Sequence, residues 1–531
     1  MQLKITADYL LIPVNRTTQA VALRLLDGER LVRYFDCHPC PPELADFTAF
    51  YPMKEFRDRT LTIAAGELPS DLPDWIKQTD TPLPQNFNQE ALRPQLHFSS
   101  RRGWLNDPNG LFHYNGVYHL FYQHNPFSTD WGNMHWGHAT STDLLHWEEL
   151  DDILYPDELG TKFSGSAFVD HANASGLGNG TQPPILLYYT AAGSYAPSPV
   201  PVTQCLAYST DGGNTFRIYD GNPIIPGLSR ENRDPKVVFD KQNHRHLLAL
   251  YLEKRGDNHY FALLDSTDLI HWEKFQEITL PGSGECPDLY ELPVDGNPND
   301  RRWVFSAADG RYRIGHFTDG LFVSESGPHE FYCRQNEGNF YAAQTWDNLP
   351  GNRRIQLSWH QGQTMSPRFN MSMGFPVELT LKTFGDGIRL CAAPVPEIEK
   401  LHTGETFAWH DFSLNGTADD KIVMTELAEI ELDVVAVRPV SLLIGGVEIA
   451  CDPLTGAISL PGAVLRQTTA KQHFHLHLIV DRTSLEVFAE EGRLYAGKRV
   501  IFSPENHSLQ LRGDSAEVRT YRVFRLMPIW R

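Results

Sequence analysis

The chain has 531 residues, with 46 Lys and Arg against 66 Asp and Glu, which gives a formal net charge of −20. This length allows about three domains, each able to bury a core without disulfides. The excess of acid repels phosphate backbones and anionic lipid headgroups, so nucleic-acid and membrane-surface roles are disfavoured and neutral partners are favoured.

Residues 1–66 alternate apolar and polar side chains between turn residues, which predicts a small N-terminal β domain. An apolar run in this segment, Tyr9 to Val14, is too short for a secretion signal, and no segment approaches the ~20 apolar residues of a membrane span. Residues 67–95 are rich in proline, which cannot donate to a sheet, so they are predicted to be a linker.

The cysteines are scattered, and an odd number of them cannot form a complete disulfide framework, so we expect most thiols to be free. They are Cys37, Cys40, Cys205, Cys286, Cys333, Cys391 and Cys451. Free thiols and the missing signal favour a cytoplasmic location. A secreted or periplasmic protein whose signal had been removed would look the same.

Residues 96–390 carry an internal repeat. Five segments share a polar start, an apolar strand, a turn and a second strand rich in aromatics, and successive starts are 57, 70, 51 and 56 residues apart: Asp107, Ser164, Asp234, Glu285 and Tyr341. This spacing fits a blade of four strands, so the segment is predicted to be a five-bladed β-propeller. Helical periodicity is nearly absent, which argues against an α/β barrel, and a two-sheet sandwich would leave the repeat unexplained.

The pattern changes after a predicted linker at residues 391–400. Residues 401–531 show shorter alternating strands, which are typical of a β-sandwich. The predicted fold class is therefore all-β: a five-bladed propeller followed by a C-terminal β-sandwich, with an additional small N-terminal β domain.

Polar residues at the repeat starts should converge, because the beginning of each innermost strand faces the central channel of a propeller. Three of these starts are acidic: Asp107, Asp234 and Glu285. The local sequences lack the alternating ligands of a calcium loop, and Arg233 reduces the need for a cation beside Asp234. Hydrolysis of a glycoside instead requires one ionised and one protonated carboxyl group, and both are available here.

Aromatic residues also favour a sugar substrate. Eight of the eleven tryptophans fall within residues 101–360, and indole rings provide flat apolar walls for sugar rings. Most of them are expected in the blade cores. Trp131 differs, because it stands in a polar loop immediately after a strand.

The motif series of the repeat resembles that of glycoside hydrolase family 32, the invertase, levanase and inulinase family, from about residue 97 to residue 531. The matching motifs are Trp104-Leu-Asn-Asp-Pro-Asn-Gly110, Phe121-Tyr-Gln-His-Asn-Pro126, Phe163-Ser-Gly-Ser166, Arg233-Asp-Pro235, Glu285-Cys-Pro-Asp288 and Asp481-Arg-Thr-Ser-Leu-Glu-Val-Phe488.

The resemblance implies an enzyme that removes β-linked fructofuranosyl units with retention of configuration, without a cofactor or metal. It implies that Asp107 is the nucleophile, Glu285 the general acid/base and Asp234 the transition-state stabiliser. The positions that match the fructose pocket are Asn106, Gln123, Trp131, Phe163, Ser164, Arg233, Tyr341 and Trp359. The implied partners are neutral fructose-containing saccharides, and a homo-oligomer is possible.

Three details of the site are also expected. Glu285 should have a raised pKa from crowding by two aspartates, and Arg233 should keep Asp234 ionised. Cys286 is expected to pack beneath the acid rather than act as a nucleophile. Gly284 stands where many family members have a larger residue, so the leaving-group side of the pocket is predicted to be more open.

An exo-acting β-fructosidase is the leading hypothesis. An endo-fructanase or a fructosyltransferase would use the same carboxylates, and a fructan-binding propeller without activity is the non-catalytic alternative.

Overall fold

The computed structural model describes residues 1–531 except 68, 83–86, 332–339, 363–365, 419–425, 469–470, 503–507 and 531. Regular structure in the described residues is overwhelmingly β, which confirms the predicted all-β class. Six of the seven cysteines are free and buried, and Cys333 lies outside the described residues. No described helix is long and apolar enough to cross a membrane.

The N-terminal domain contains two small antiparallel sheets, of strand order β1-β6-β3-β4 and β5-β2-β7. Its strands are β1 (Gln2–Lys4), β2 (Tyr9–Val14), β3 (Val21–Asp27), β4 (Arg30–Cys37), β5 (Phe47–Pro52), β6 (Thr60–Ala64) and β7 (Lys77–Thr79), and the short helix α1 (Leu72–Trp75) precedes β7. The boundary predicted at residue 66 is too early, because β7 pairs with β2. Lys77–Thr79 contains no proline and can therefore donate to the sheet although prolines flank it.

The central region consists of five four-stranded blades, as far as the described residues show. The first two blades are β8 (Gly103–Tyr114), β9 (Val117–Asn125), β10 (His135–Ser141) and β11 (Trp147–Glu149), and then β12 (Thr161–Val169), β13 (Ile185–Ala192), β14 (Thr203–Ser209) and β15 (Arg217–Ile218). The third and fourth blades are β16 (Arg233–Asp240), β17 (Arg245–Arg255), β18 (Asn258–Ser266) and β19 (Glu273–Pro281), and then β20 (Asp288–Val294), β21 (Asn297–Ser306), β22 (Tyr312–Thr318) and β23 (Leu321–His329). The fifth blade is β24 (Phe340–Thr345), β25 (Ile355–His360), β28 (Val377–Phe384) and β29 (Gly387–Pro394). Two short strands, β26 (Phe369–Asn370) and β27 (Ser372–Met373), pair with β8 and β25.

The innermost strands β8, β12, β16, β20 and β24 neighbour one another in cyclic order, with β24 returning to β8. This ring confirms the predicted five-bladed propeller. Strand β29 continues to Pro394, so part of the predicted linker at 391–400 belongs to the last blade, and a 3-10 helix, Pro396–Leu401, occupies the rest.

The repeated sequence Ser141–Trp147 forms the turn between the third and fourth strands of a blade. The Asp143 carboxylate accepts hydrogen bonds from the Leu145 and His146 amides, and Leu144 has a φ of 68°. The copy at Ser266–Trp272 repeats this geometry, with Leu269 at φ 62°. The looser copy has Gly212, which adopts this conformation without strain, at the same position.

The C-terminal domain is a β-sandwich of ten strands within the described residues. They are β30 (His402–Ala418), β31 (Ala428–Ala436), β32 (Val440–Ile444), β33 (Val447–Asp452), β34 (Ala457–Leu460), β35 (Ala463–Arg466), β36 (His473–Asp481), β37 (Ser484–Ala489), β38 (Leu494–Arg499) and β39 (Leu509–Leu526). The long strand β39 pairs with β30, β31 and β32 and holds the two layers together. Alternating apolar residues of these strands form the domain core.

A buried charged cluster connects the sandwich to the propeller. His97 Nδ1 lies 2.7 Å from Asp481 Oδ2 and its Nε2 lies 2.9 Å from Glu486 Oε1. The backbone amides of Gln95 and Leu96 also donate to Asp481. The Asp481–Phe488 motif identified in the sequence therefore supports the domain interface.

Candidate active site

Irregularities in the innermost strands turn the predicted site residues toward the channel. β-Bulges interrupt β8 after Leu105, β12 after Phe163, β16 after Arg233 and β24 after Tyr341. A bulge bends its strand and redirects the local side chains. In the fourth blade, Glu285 precedes β20 and has a φ of 62°. The five repeat starts are thereby brought together at one end of the propeller.

Asp107 is held by neighbours from two blades. Ser164 Oγ donates to its Oδ2 at 2.6 Å, and Asn106 Nδ2 donates to its Oδ1 at 3.0 Å. Burial raises the pKa of Asp107, and these hydrogen bonds only partly oppose that effect. The carboxylate is thus positioned by two donors while it remains close to a neighbouring negative charge, that of Glu285.

Asp234 and Asp107 both contact the thiol of Cys286. The Cys286 amide donates to Asp234 Oδ2 at 2.9 Å, and Cys286 Sγ lies 3.6 Å from both Asp234 Oδ2 and Asp107 Oδ2. Burial raises the pKa of Asp234 to about 7, with Arg233 opposing and the charges of Glu285 and Asp107 adding to the rise. The same burial and the same carboxylates raise the pKa of Cys286, so its thiol stays protonated and can serve as a donor.

The pKa and the hydrogen-bond partners of Glu285 differ from expectation. Arg233 Nη2 donates to its Oε1 at 2.8 Å, and the Tyr341 hydroxyl donates to its Oε2 at 2.5 Å. Burial acts to raise the pKa of Glu285, but Arg233 and the Tyr341 hydrogen bond together outweigh it, and the pKa is lowered. The raised pKa predicted for Glu285 is therefore wrong. Arg233, expected to serve Asp234, lies 3.9 Å from that carboxylate and bonds Glu285 instead.

The three carboxyl groups form one electrostatically coupled cluster that is able to hold a proton near neutral pH. Burial raises the pKa of both aspartates, whereas the guanidinium and the phenol lower the pKa of Glu285. Two ionised carboxylates beside a protonated one are the groups that nucleophilic attack and proton donation at a glycosidic bond require.

The remaining predicted residues line the same region. Phe163 lies 6.0 Å, centroid to centroid, from Trp131, and Trp359 lies 6.3 Å from Tyr341. Gln123 is 2% exposed, and its side-chain amide donates to the Lys162 carbonyl at 2.8 Å.

The space beside Gly284 differs from the prediction. A Cβ atom on Gly284 would lie 2.3 Å from His259 Nδ1, so the imidazole of His259 occupies the space that the glycine leaves. Gly284 therefore leaves no open space in front of Glu285, contrary to the prediction of a more open pocket. His259 also lies 3.2 Å from the Tyr251 hydroxyl, and Tyr251 stacks under Arg233 at 4.5 Å.

Sequence reasoning missed His259, and also Thr190, whose Oγ1 accepts the Asp234 amide at 2.9 Å. Neither residue lies at a repeat start. The strands that carry them, β18 and β13, reach the site only because the blades pack around one axis.

Other clusters lie away from this site. A cavity of about 440 Å³ is lined by Asp170, Asp240 and Trp346 at the far ends of the inner strands, and by none of the predicted site residues. In the sandwich, ligand atoms of Glu429, Glu431 and His477 lie within 4.8 Å of one another, the one such metal-type group in the described part of the chain. Glu429 already accepts hydrogen bonds from two histidines there.

Known proteins resemble this chain in sequence and in fold. Residues 97–394 match the model of the glycosyl hydrolases family 32 N-terminal domain. A levanase of Bacillus subtilis (strain 168) is 31% identical over 497 residues, which cover 84% of this chain and 72% of the levanase. An extracellular exo-inulinase of Aspergillus ficuum is 32% identical over 358 residues, covering 58% of this chain and 65% of the inulinase. The crystal structure of an exo-inulinase from Aspergillus awamori superposes with a TM-score of 0.73 at 25% identity and covers 83% of this chain and 99% of that one. The chain therefore belongs to glycosyl hydrolase family 32 and is a glycoside hydrolase.

Proposed function

We propose that the protein is a retaining, exo-acting β-fructofuranosidase that removes terminal β-D-fructofuranosyl residues from sucrose, fructo-oligosaccharides or fructans by double displacement. Its relatives named levanase and exo-inulinase support a fructose-containing substrate. The observation that supports the mechanism best is the hydrogen-bonded cluster in which Cys286 contacts Asp107 and Asp234 while Arg233 bonds Glu285.

In the first step, Asp107 attacks the anomeric carbon of the fructosyl unit while Glu285 donates a proton to the leaving oxygen. The products are a covalent fructosyl-enzyme and the released saccharide. In the second step, Glu285 removes a proton from water, the oxygen of that water bonds to the anomeric carbon, and Asp107 leaves. Asp234 accepts hydrogen bonds from fructosyl hydroxyls throughout.

Substrate binding would favour transfer of a proton from Asp234 to Glu285. Hydroxyls that donate to Asp234 stabilise its ionised form and lower its pKa from about 7. A proton released by Asp234 in this way is then available to Glu285.

The closed floor of the channel favours exo action. Below Asp234 on the same strand, buried Lys236 donates to the Thr345 carbonyl at 2.7 Å and lies 3.3 Å from Asp288. Trp346, which follows Thr345 in the chain, is fully buried. A funnel blocked in this way accepts the end of a chain, whereas endo cleavage requires a saccharide to extend past the carboxylates in both directions. A fructosyltransferase would share the site and differ in the acceptor that reaches the intermediate.

The test is incubation with sucrose, kestose-type oligosaccharides, inulin and levan, with products resolved by chromatography over time. Exo hydrolysis releases fructose alone from the first time point. Oligomers of intermediate length would contradict exo action. The double variant Asp107→Asn, Glu285→Gln should lose turnover of every fructoside, and full turnover by that variant would refute the assigned roles.

A cytoplasmic location remains part of the proposal, with secretion as the alternative. The free thiols of the described cysteines fit a reducing compartment, whereas the Aspergillus ficuum relative is named extracellular. Fractionation of the native cells by immunoblot distinguishes the two locations.

A further inference from the structure

The loop between β9 and β10, residues 126–134, is anchored in the N-terminal domain. Phe127 is 1% exposed and belongs to the core of that domain, where it stacks on Phe35 at a centroid distance of 3.9 Å. At the end of the loop, His135 Nε2 lies 3.1 Å from the Tyr51 hydroxyl. Trp131 stands in the middle of this loop.

A second attachment joins the same loop to an edge strand. Strand β4 is the last strand of its sheet, so one side of its backbone has no strand partner among the described residues. The Asn133 side chain occupies that side: the Asp36 amide donates to its Oδ1 at 2.7 Å, and its Nδ2 donates to the Asp36 carbonyl at 2.7 Å. The N-terminal domain therefore fixes the backbone two residues from Trp131.

The same strand β4 holds a loop of the second blade. The Tyr34 hydroxyl donates to the Tyr195 carbonyl at 2.9 Å. Tyr195 ends a 3-10 turn, Gly193–Tyr195, which is closed by the Val200 amide donating to the Gly193 carbonyl at 3.0 Å. Tyr34 is buried, so this hydrogen bond is sheltered from water.

The two loops bring two exposed rings together. Trp131 is 47% exposed and Tyr195 51%, and their rings meet edge to face at 5.6 Å. Both rings also contact Phe163, at 6.0 Å and 5.4 Å. Phe163 precedes Ser164, the residue that bonds Asp107. The exposed pair is thus connected to the nucleophile through Phe163 and Ser164, and both of its residues are more exposed than Phe163.

We propose that Tyr195 extends the wall formed by Trp131 into an aromatic platform that contacts the leaving-group portion of the saccharide, and that the N-terminal domain holds this platform in place. This inference rests on the proposed function. The reacting fructosyl unit must place its anomeric carbon at Asp107, so exposed rings that connect to Asp107 through Phe163 and Ser164 are suited to contact the part of the saccharide that extends outward. Flat apolar rings with a polar edge suit the C–H-rich faces of sugars.

The platform gives the N-terminal domain a role in specificity. The loops of both rings are bonded to β4 through Tyr34 and Asp36. Because these contacts fix loop positions rather than touch substrate, Tyr34 and Asn133 are positioning residues.

Calorimetric binding in a Glu285→Gln background tests the platform without turnover. The ligands are fructose, which fills only the innermost position, and 1-kestose and nystose, which extend outward. Adding Tyr195→Ala should weaken binding of both oligosaccharides by about 3- to 10-fold, the range expected for loss of one aromatic contact, with a much smaller effect on fructose. Tyr195→Phe should recover the affinity, because it retains the ring. Equal loss for fructose and the oligosaccharides, or no loss for any ligand, would overturn the proposal.

Tyr34→Phe tests the role of the N-terminal domain, since it removes only the hydroxyl that bonds the Tyr195 carbonyl. It should weaken oligosaccharide binding by roughly 2- to 4-fold, the value of one neutral hydrogen bond, with the same preference over fructose. Leu321→Ala on β23 is the control for Tyr195→Ala, because Leu321 is 46% exposed and Tyr195 51%; it should leave the binding of all three ligands unchanged. Unchanged oligosaccharide binding in Tyr34→Phe with an unchanged unfolding temperature would refute this role. Turnover by the unmodified enzyme tests the proposed function separately.

Discussion

Arg233 Nη2 donates to Glu285 Oε1 at 2.8 Å, whereas the Nε of the same guanidinium lies 3.9 Å from Asp234 Oδ2. The arginine beside one carboxylate in sequence is thus the hydrogen-bond partner of another carboxylate 52 residues away. Because of this contact, the pKa of Glu285 is lowered, whereas burial raises the pKa of both aspartates.

Arg233→Gln should change both the rate and its pH dependence. Without the guanidinium, the ionised form of Glu285 loses its main stabilisation, so its pKa rises and the general acid stays protonated to higher pH. The alkaline limb of the kcat/KM profile is expected to move to higher pH. Loss of a charge-assisted hydrogen bond should also lower kcat/KM about 10- to 100-fold. A limb that stays fixed or moves to lower pH would contradict the assigned partner.

Ser164→Ala should raise the pKa of the nucleophile, Asp107. The Ser164 hydroxyl donates to Asp107 Oδ2 at 2.6 Å and lowers the pKa of that carboxyl against the effect of burial. Its removal raises the pKa further, so Asp107 ionises at higher pH and the acid limb of kcat/KM moves upward. We expect kcat/KM near neutral pH to fall about fivefold.

Ser166→Ala provides the control, because the Ser166 hydroxyl accepts the Val237 amide and does not contact Asp107. It should leave the position of the acid limb unchanged. An equal shift in both variants would point to a general change of strand β12 rather than to the hydrogen bond.

Gly284→Ala tests the packing of His259 against the site. The added Cβ would approach His259 Nδ1 to 2.3 Å, so the imidazole must move and its contact with the Tyr251 hydroxyl is lost. Because Tyr251 stacks under Arg233, the disturbance reaches the partner of Glu285. We expect roughly a tenfold loss of kcat/KM.

The double variant Gly284→Ala, His259→Ala relieves this clash. It should recover activity relative to Gly284→Ala alone, a non-additive result in a double-mutant cycle. Strictly additive effects of the two substitutions would show that the glycine and the histidine act independently.

The His97 cluster predicts how stability depends on pH. Burial lowers the pKa of His97, but hydrogen bonds and charges of Asp481 and Glu486 outweigh burial and raise it to about 9. Because the folded value exceeds the unfolded value of about 6.5, the stabilisation from the protonated imidazole is fully present below about pH 6.5. It is lost as the pH rises through about 9. The unfolding temperature should therefore fall between pH 7 and pH 9.5.

His97→Gln is the matching variant. It leaves two buried carboxylates without their cationic partner, at a cost of about 3 kcal/mol or more. Its unfolding temperature should be lower at pH 7 and should decline less over the same alkaline range. Parallel declines for both proteins would assign the pH dependence to other groups.

The sequence by itself determined the repeat, the all-β class, the number of blades and the positions of the three acidic starts. It could do so because each blade is a local unit of strands and turns, so its pattern recurs within 51 to 70 residues. The turn at Ser141–Trp147, for example, is specified by contacts within seven residues.

Only the tertiary structure decided the state and the surroundings of the site. The lowered pKa of Glu285, the imidazole over Gly284 and the attachment of the Trp131 and Tyr195 loops to strand β4 all depend on residues far apart in the chain. Such contacts arise when complete blades and domains pack together. A pKa or a pocket wall then depends on which side chains meet, and sequence spacing does not record that.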